Sequence, residues 1–184
     1  AEADIVVDLG DSVGSGTWWR GAATLAALAR DTFDEAFGRL YRPDDLAAFY
    51  AEWKTPEAFA RWIADPRVGI LVACDGDWPI GYAMTGQDIK LDYDPAPRTA
   101  LELKQLYIRA SHHGAGVAQV FMDWVIAQAR SAEADEIVLS VYSENPRGIA
   151  FYHKHGFAKA ADTTFVVGTQ VDAEYLFVKP LSSD

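Results

Sequence analysis

A chain of 184 residues, half of them apolar, 23% charged and 12% aromatic, has the length and composition of one globular domain and excludes a disordered or fibrous protein. Its 16 Lys and Arg against 27 Asp and Glu give a net charge of -11 with no basic cluster, which argues against a nucleic-acid partner and would, if anything, draw cations. The single cysteine, Cys74, excludes an internal disulfide and sits in an apolar run, where it reads as a small core residue.

Residues 1 to 16 contain the short apolar run IVV, loosened by Gly10, Gly14 and Gly16, and read either as a strand added to a sheet or as an arm. Their start lacks the basic and apolar blocks of a secretory signal, and no apolar stretch approaches the length of about 18 residues that a membrane span needs. A cytoplasmic protein with no membrane partner is the expectation. From Thr24 the spacing of Leu25, Leu28, Ala29, Phe33, Ala36 and Phe37 is helical, with Gly38 as a stop. Pro43 and Asp44 open a second helix. Thr55 as cap, Pro56 in the first turn and Glu57 behind it open a third. VGILVAC and WPIGYAM then flank the turn DGD as a hairpin. Residues 87 to 100, broken by Pro95 and Pro97, read as a loop before the strand ELKQLYI.

In VAQVFMDWVIAQAR the residues Val117, Val120, Phe121, Trp124 and Val125 share one face of a helix, and EIVLSVY alternates as a strand. A further helix starts at Pro146, followed by strands near FAKAADTTFVV and EYLFVKP. Strand, helix, strand at this spacing predicts a parallel pair joined by a crossover. The whole of 1–184 reads as one domain.

The turn HHGAGVA, residues 112–118, joins that strand to that helix. The first amide hydrogens of a helix have no partner inside it, and the helix dipole adds to them, so an anion is favoured there. Gly114 and Gly116 would let a diphosphate approach the backbone closely, although a tight turn with no ligand explains them as well. Zinc is not expected: sequence neighbours such as His112 and His113 rarely converge on one ion, and no helical ligand spacing supplies others. A second segment, residues 143–157, carries Asn145 as a cap, Pro146 at the first helical position and Gly156 as a stop. Two parallel strands each followed by a helix create a crevice at their carboxyl ends, with Tyr152 projecting near it.

LYIRASHHGAGVAQVFM followed by ENPRGIAFYHKHGF resembles the GNAT superfamily of acetyl-CoA-dependent N-acetyltransferases. His113, Gly116 and Ala118 stand where that family has Gln or Arg, Gly, and Gly or Ala. The resemblance implies an α/β fold of the α+β GNAT type: a mixed, mostly antiparallel central sheet with a splayed parallel strand pair, flanked by helices. It implies acetyl-CoA as cosubstrate and no metal. Leu106 and Ile108 would offer backbone groups to pantetheine, and the amides of His113, Gly114, Ala115, Gly116, Val117 and Ala118 would hold the pyrophosphate. Asn145 would contact pantetheine. His113, in place of Gln or Arg, would make one phosphate contact sensitive to pH near about 6.5.

A thioester is attacked only by a neutral amine, and a pKa near 10.4 leaves about one alkylamine in a few thousand neutral at pH 7. Glu102, at the start of ELKQLYI, is the candidate base, or else an exposed strand-end charge. Tyr152 matches the superfamily's frequent general acid for the departing thiolate, or packs beside the cofactor. A strand amide near Leu106 or Tyr107 would polarise the thioester carbonyl. Residues 30–50 and the ending FVVGTQVDAEYLFVKPL are similar to PaiA-like polyamine acetyltransferases, which places Phe33, Phe37 and Tyr41 over a small amine acceptor. As an alternative, those aromatics form the ordinary apolar faces of two helices. A homodimer is also implied, since pairing through an outer strand or final hairpin is common in the superfamily. Two other readings stand beside this one. A protein of this kind could bind acyl-CoA as a sensor without transferring the acyl group. IVVDLGDSVGSG also resembles the GDS block of SGNH esterases, with Ser12 as nucleophile, but no histidine has an aspartate three positions before it to act as base.

Overall fold

The computed structural model describes residues 5–6 and 21–181. Ser12 and the remainder of residues 1–16 lie outside them. Ile5–Val6 forms a two-residue strand, β1, that joins the sheet edge. Helices α1 (Ala22–Phe37), α2 (Pro43–Trp53) and α3 (Pro56–Ala64) follow, with a 3-10 turn at Gly38–Leu40. Thr55 caps α3 by accepting from the Ala58 amide at 3.1 Å, as its sequence signature predicts. The hairpin of β2 (Val68–Asp75) and β3 (Trp78–Gly86) turns at Gly76, whose φ of +60° belongs to the left-handed region. Next come β4 (Ala100–Ile108), α4 (Val117–Ser131), β5 (Glu136–Tyr142), α5 (Pro146–Lys154), β6 (Ala158–Val167) and β7 (Gln170–Pro180).

The strands form one seven-stranded sheet in the order β1-β2-β3-β4-β5-β7-β6, antiparallel throughout except for β4 and β5. Alternation along the strands sorts the two faces. Ile70, Val72, Tyr82 and Met84 pack under α1 and α3, with Leu25, Leu28 and Phe59. On the other face Leu101, Leu103, Ile137, Leu139 and Phe177 pack under α4, with Met122 and Val125.

Two local features shape the centre of this sheet. On β4 the residues Leu103 and Gln105 pair with Thr85 and Met84 of β3, so Lys104 is an extra residue, a bulge that bends its strand. Parallel pairing of β4 with β5 covers only Ala100 to Glu102 against Glu136 to Val138, and it ends just before the bulge. Beyond it the two strands part. The second feature is the β6–β7 hairpin, whose tip is clamped onto α2. Asp45 Oδ1 accepts from the Thr169 amide at 2.7 Å and from its hydroxyl at 2.8 Å. These bonds draw the Asp45 carboxyl below the usual range. Val167 is thereby buried against Phe33 and Phe49.

Candidate active site

Where β4 and β5 part, the inner edge of β4 has no strand to pair with. The Arg109 amide donates to Ile80 on β3 at 2.7 Å. Peptide groups alternate along a strand, so those of Tyr107 also face β3 while those of Leu106 and Ile108 face the gap. The Ile108 carbonyl is met by the His113 ring; the other groups need partners, and an extended amide-bearing chain in the gap would supply them. Tyr107 faces its strand neighbour through its backbone, so its contribution is the ring, which stacks on Tyr82 at 5.9 Å.

At the end of the gap lies the turn into α4. Gly114 and Gly116 have φ of +83° and +84°, and a Cβ built on either would meet open space. The amides of Gly114, Gly116, Val117 and Ala118 have no main-chain acceptor among the described residues, whereas the His113 amide donates to Ala110 at 3.2 Å and that of Ala115 to His112 at 3.3 Å. The short helical turn Ala110–His112 thus consumes two of the six amides expected to face the anion, and four remain. His113 instead works through its ring: Nε2 donates to the Ile108 carbonyl at 3.0 Å, and Nδ1 accepts from Arg147 Nη1 at 2.7 Å. That bonding holds the ring between the end of β4 and α5 and brings a guanidinium beside the turn. Arg147 was legible only as a charge in the first turn of α5. Asn145 caps that helix by accepting from the Gly148 amide at 3.0 Å. The cradle fits the pantetheine and paired phosphates of coenzyme A.

On the opposite face of the sheet a cavity of about 1060 Å³ opens below the gap. Its walls come from α1, α2, the β6–β7 hairpin and both diverging strands. Phe33 is fully buried and forms its base, stacking near Phe37, Tyr41 and Phe49 at 5.5, 5.9 and 4.9 Å. Phe37 and Tyr41 are half-buried at its side, and the Tyr41 hydroxyl donates to Asp172. Those aromatics therefore serve both readings at once, as core and as lining.

Charged groups in this cavity are of two kinds. Asp65 pairs with Arg67, Asp88 with Lys90, and Glu102 with Lys104, at 2.8, 2.6 and 2.9 Å. Glu102 Oε2 also accepts from the Lys90 amide at 2.7 Å, which ties the loop after β3 to β4. Glu102 is thus 6% exposed and engaged, so the alternative of an exposed strand-end charge does not hold. Lys54 and Glu174 are different. Lys54 donates to Gln105 Oε1 at 2.6 Å and lies 5.4 Å above the Tyr107 ring, and burial lowers its pKa to about 7. Glu174, on β7 beside Tyr142 of β5, has a buried oxygen, Oε2, with no partner among the described residues. Burial raises its carboxyl, opposed by the Ser140 hydroxyl. Its only trace in the sequence is a charge in step with Leu176 and Val178 on an apolar strand.

Tyr152 lies across the sheet from this cavity, on α5, with its ring 5.7 Å from Phe157. Burial and the nearby Glu174 both raise its phenol, which keeps it protonated. Among the described residues no three His, Cys, Asp or Glu side chains come together as a metal site, and no helix is long and apolar enough to cross a membrane.

Parted strands, a helix start with open amides and a large cavity on the far face together fit a coenzyme A-dependent acyltransferase. Residues 30–157 match the model of the acetyltransferase (GNAT) family, and the chain belongs to that family. It is 32% identical over 160 residues to an uncharacterised N-acetyltransferase of Mycobacterium tuberculosis, covering 87% of this chain and 97% of that one. An uncharacterised N-acetyltransferase of Lactobacillus delbrueckii subsp. lactis is 26% identical, over 84% and 89% of the two chains. Among solved structures, the PaiA N-acetyltransferase of Thermoplasma acidophilum in complex with coenzyme A superposes with a TM-score of 0.68 at 18% identity, over 87% and 92% of the chains. The ribosomal-protein-alanine N-acetyltransferase of Brucella melitensis gives 0.65 at 19%, over 87% and 94%. The protein is an N-acetyltransferase that uses acetyl-CoA, and its fold is the mixed, splayed sheet expected from the two motifs.

Proposed function

We propose that the acceptor is the primary amine of a small, extended cation of the polyamine type, attacked directly in a ternary complex with acetyl-CoA. The observation that carries this reading is the cavity itself. Its aromatic base suits methylene groups and cation–π contact, while Asp44 and Glu52 of α2 line it with no ion pair to a cation among the described residues. In this scheme Leu106 and Ile108 receive the pantetheine amides, and Asn145 adds its side-chain amide. Gly114, Gly116, Val117 and Ala118 bind the pyrophosphate with Arg147 beside them. Phe33, Phe37 and Tyr41 cover the acceptor. Tyr152 gives a proton to the departing thiolate. Bound acetyl-CoA supplies the activated acetyl carbon.

The proposal extends to a cytoplasmic homodimer joined along β6, the outer strand, where the cross-strand partners Val166 and Val171 are 54% and 60% exposed. Sedimentation at micromolar concentration should give twice the chain mass.

The acceptor is tested by thiol release from acetyl-CoA with polyamines, aminoglycosides, amino acids and peptides. Polyamines should give the highest kcat/KM, and that advantage should fall with salt as screening weakens the carboxylates. A preference for neutral or acidic acceptors would refute the cationic reading. Tight CoA binding with no turnover on any amine would point to a sensor instead.

A further inference from the structure

We propose that Glu174 is the general base that takes the proton from the acceptor ammonium before attack. This rests on the ternary-complex reading above and names a residue that it leaves open. Glu174 lies on the cavity face of β7, beside Ser140 and Tyr142 of β5, at the side of the gap opposite Gln105 and Tyr107 of β4. Tyr152, held on the α5 face, is close enough to Glu174, held in the cavity, to feel its charge. An amine arriving from the cavity therefore reaches the acetyl carbon past Glu174, and the thiolate departs on the Tyr152 side.

Other carboxylates nearby are occupied. Glu102 accepts from Lys104 and the Lys90 amide, and Asp172 accepts from Tyr41 and, at 2.7 Å, from Gln170. Glu174 retains a buried oxygen with no partner among the described residues, which a buried polar atom rarely does without a use. The groups facing it are Asp172 on its own strand, Ser140 and Tyr142 on β5, Tyr107 on β4, Tyr152 on α5 and Tyr41 before α2. Lys54 of α2 stands behind the Tyr107 ring. No cation pairs with Glu174 within ion-pair distance among the described residues, and burial raises its affinity for protons, the direction that favours a base.

The step balances as follows. The ammonium gives one proton to the Glu174 carboxylate, and the neutral nitrogen forms its bond to the acetyl carbon. The C–S bond breaks, and the thiolate takes the Tyr152 proton. The second nitrogen proton, shed as the amide forms, returns to Tyr152, and Glu174 releases its proton to water in the cavity.

Glu174→Gln keeps the shape and removes the base. With saturating acetyl-CoA and the best acceptor of the panel, kcat/KM at pH 7 should fall by about 100-fold or more, while the Kd for CoA stays within about twofold of the parent. The loss should shrink tenfold for each unit the pH rises towards the acceptor's own pKa, and it should shrink likewise for an acceptor whose amine is already neutral at pH 7. Glu174→Asp should recover part of the rate. The thermal midpoint of Glu174→Gln should match or exceed the parent's, since an unpaired buried carboxylate is removed. A Gln variant within threefold of the parent rate, or an equal loss at pH 7 and pH 9.5 for both kinds of acceptor, would overturn the assignment. If the low-pH limb moved with Lys54→Met and not with Glu174→Gln, Lys54 would be the base. A parent protein that binds CoA but acetylates no amine would remove both this inference and the acceptor reading.

Discussion

Replacing Lys54 by Met should make the protein more stable at neutral pH. Lys54 is 3% exposed at the end of α2, and burial lowers its pKa from 10.5 to about 7. Below pH 7 the ammonium is charged in both folded and unfolded chains, and the folded chain carries the full cost of burying it. Between pH 7 and 10.5 the unfolded chain binds the proton and the folded one does not, so stability rises with pH. At ~1.4 kcal/mol per unit the cost is about 5 kcal/mol. The rings of Phe33, Phe49 and Tyr107, at 5.8, 5.9 and 5.4 Å from Nζ, return about 2 kcal/mol of it. Met fills the same channel without the charge, and Tyr82 continues to donate to Gln105. Urea unfolding at pH 7 should therefore show a gain of roughly 2–3 kcal/mol, or several degrees in Tm. The gain should decline steadily as the pH rises from 7 towards 10.5 and vanish above it. Parallel stability curves for parent and variant across that range, or a less stable variant at pH 7, would refute the reasoning.

Tyr152→Phe should lower kcat by about 100-fold while leaving CoA affinity unchanged; steady-state rates equal to the parent's would remove Tyr152 from the acid role. Gly116→Val should abolish CoA uptake in calorimetry, because a β-branched residue is strained at φ +84° and its side chain enters the phosphate space. Retained affinity would show that the pyrophosphate lies elsewhere. Asp45→Ala should release the β6–β7 hairpin tip, seen as faster amide exchange over residues 163–172 and weaker acceptor binding. The Asp45 contribution is present above its unfolded pKa and is lost as pH falls through the lower folded value. Exchange unchanged at pH 7 would deny the clamp.

Much of this protein was legible from local pattern, because local pattern acts through local backbone energetics. Thr55 with Pro56, and Asn145 with Pro146, mark helix starts through caps that each satisfy an amide within four residues. Gly114 and Gly116 announce left-handed backbone because other residues resist it. The alternation in EIVLSVY predicts which side chains of β5 meet α4, and Leu139 and Val141 do so.

Tertiary structure alone decided where those pieces act. The parting of β4 from β5 depends on the bulge at Lys104, which exists only in register with β3, so no window of sequence contains it. Glu102 looked exposed from its position at a strand start, yet its neighbours Lys104 and Lys90 bury and engage it. Glu174 read as a lone charge on a late strand, and it reaches the gap only because β7 inserts between β5 and β6. Lys54 gave no signal at all: its surroundings are assembled from α1, β3 and β4, and the desolvation that lowers its pKa is a property of that assembly. Periodicity and turn chemistry determine elements, because each element closes its own hydrogen bonds. Burial and register between distant strands determine which polar groups are left unpaired, because neither is set within any one element.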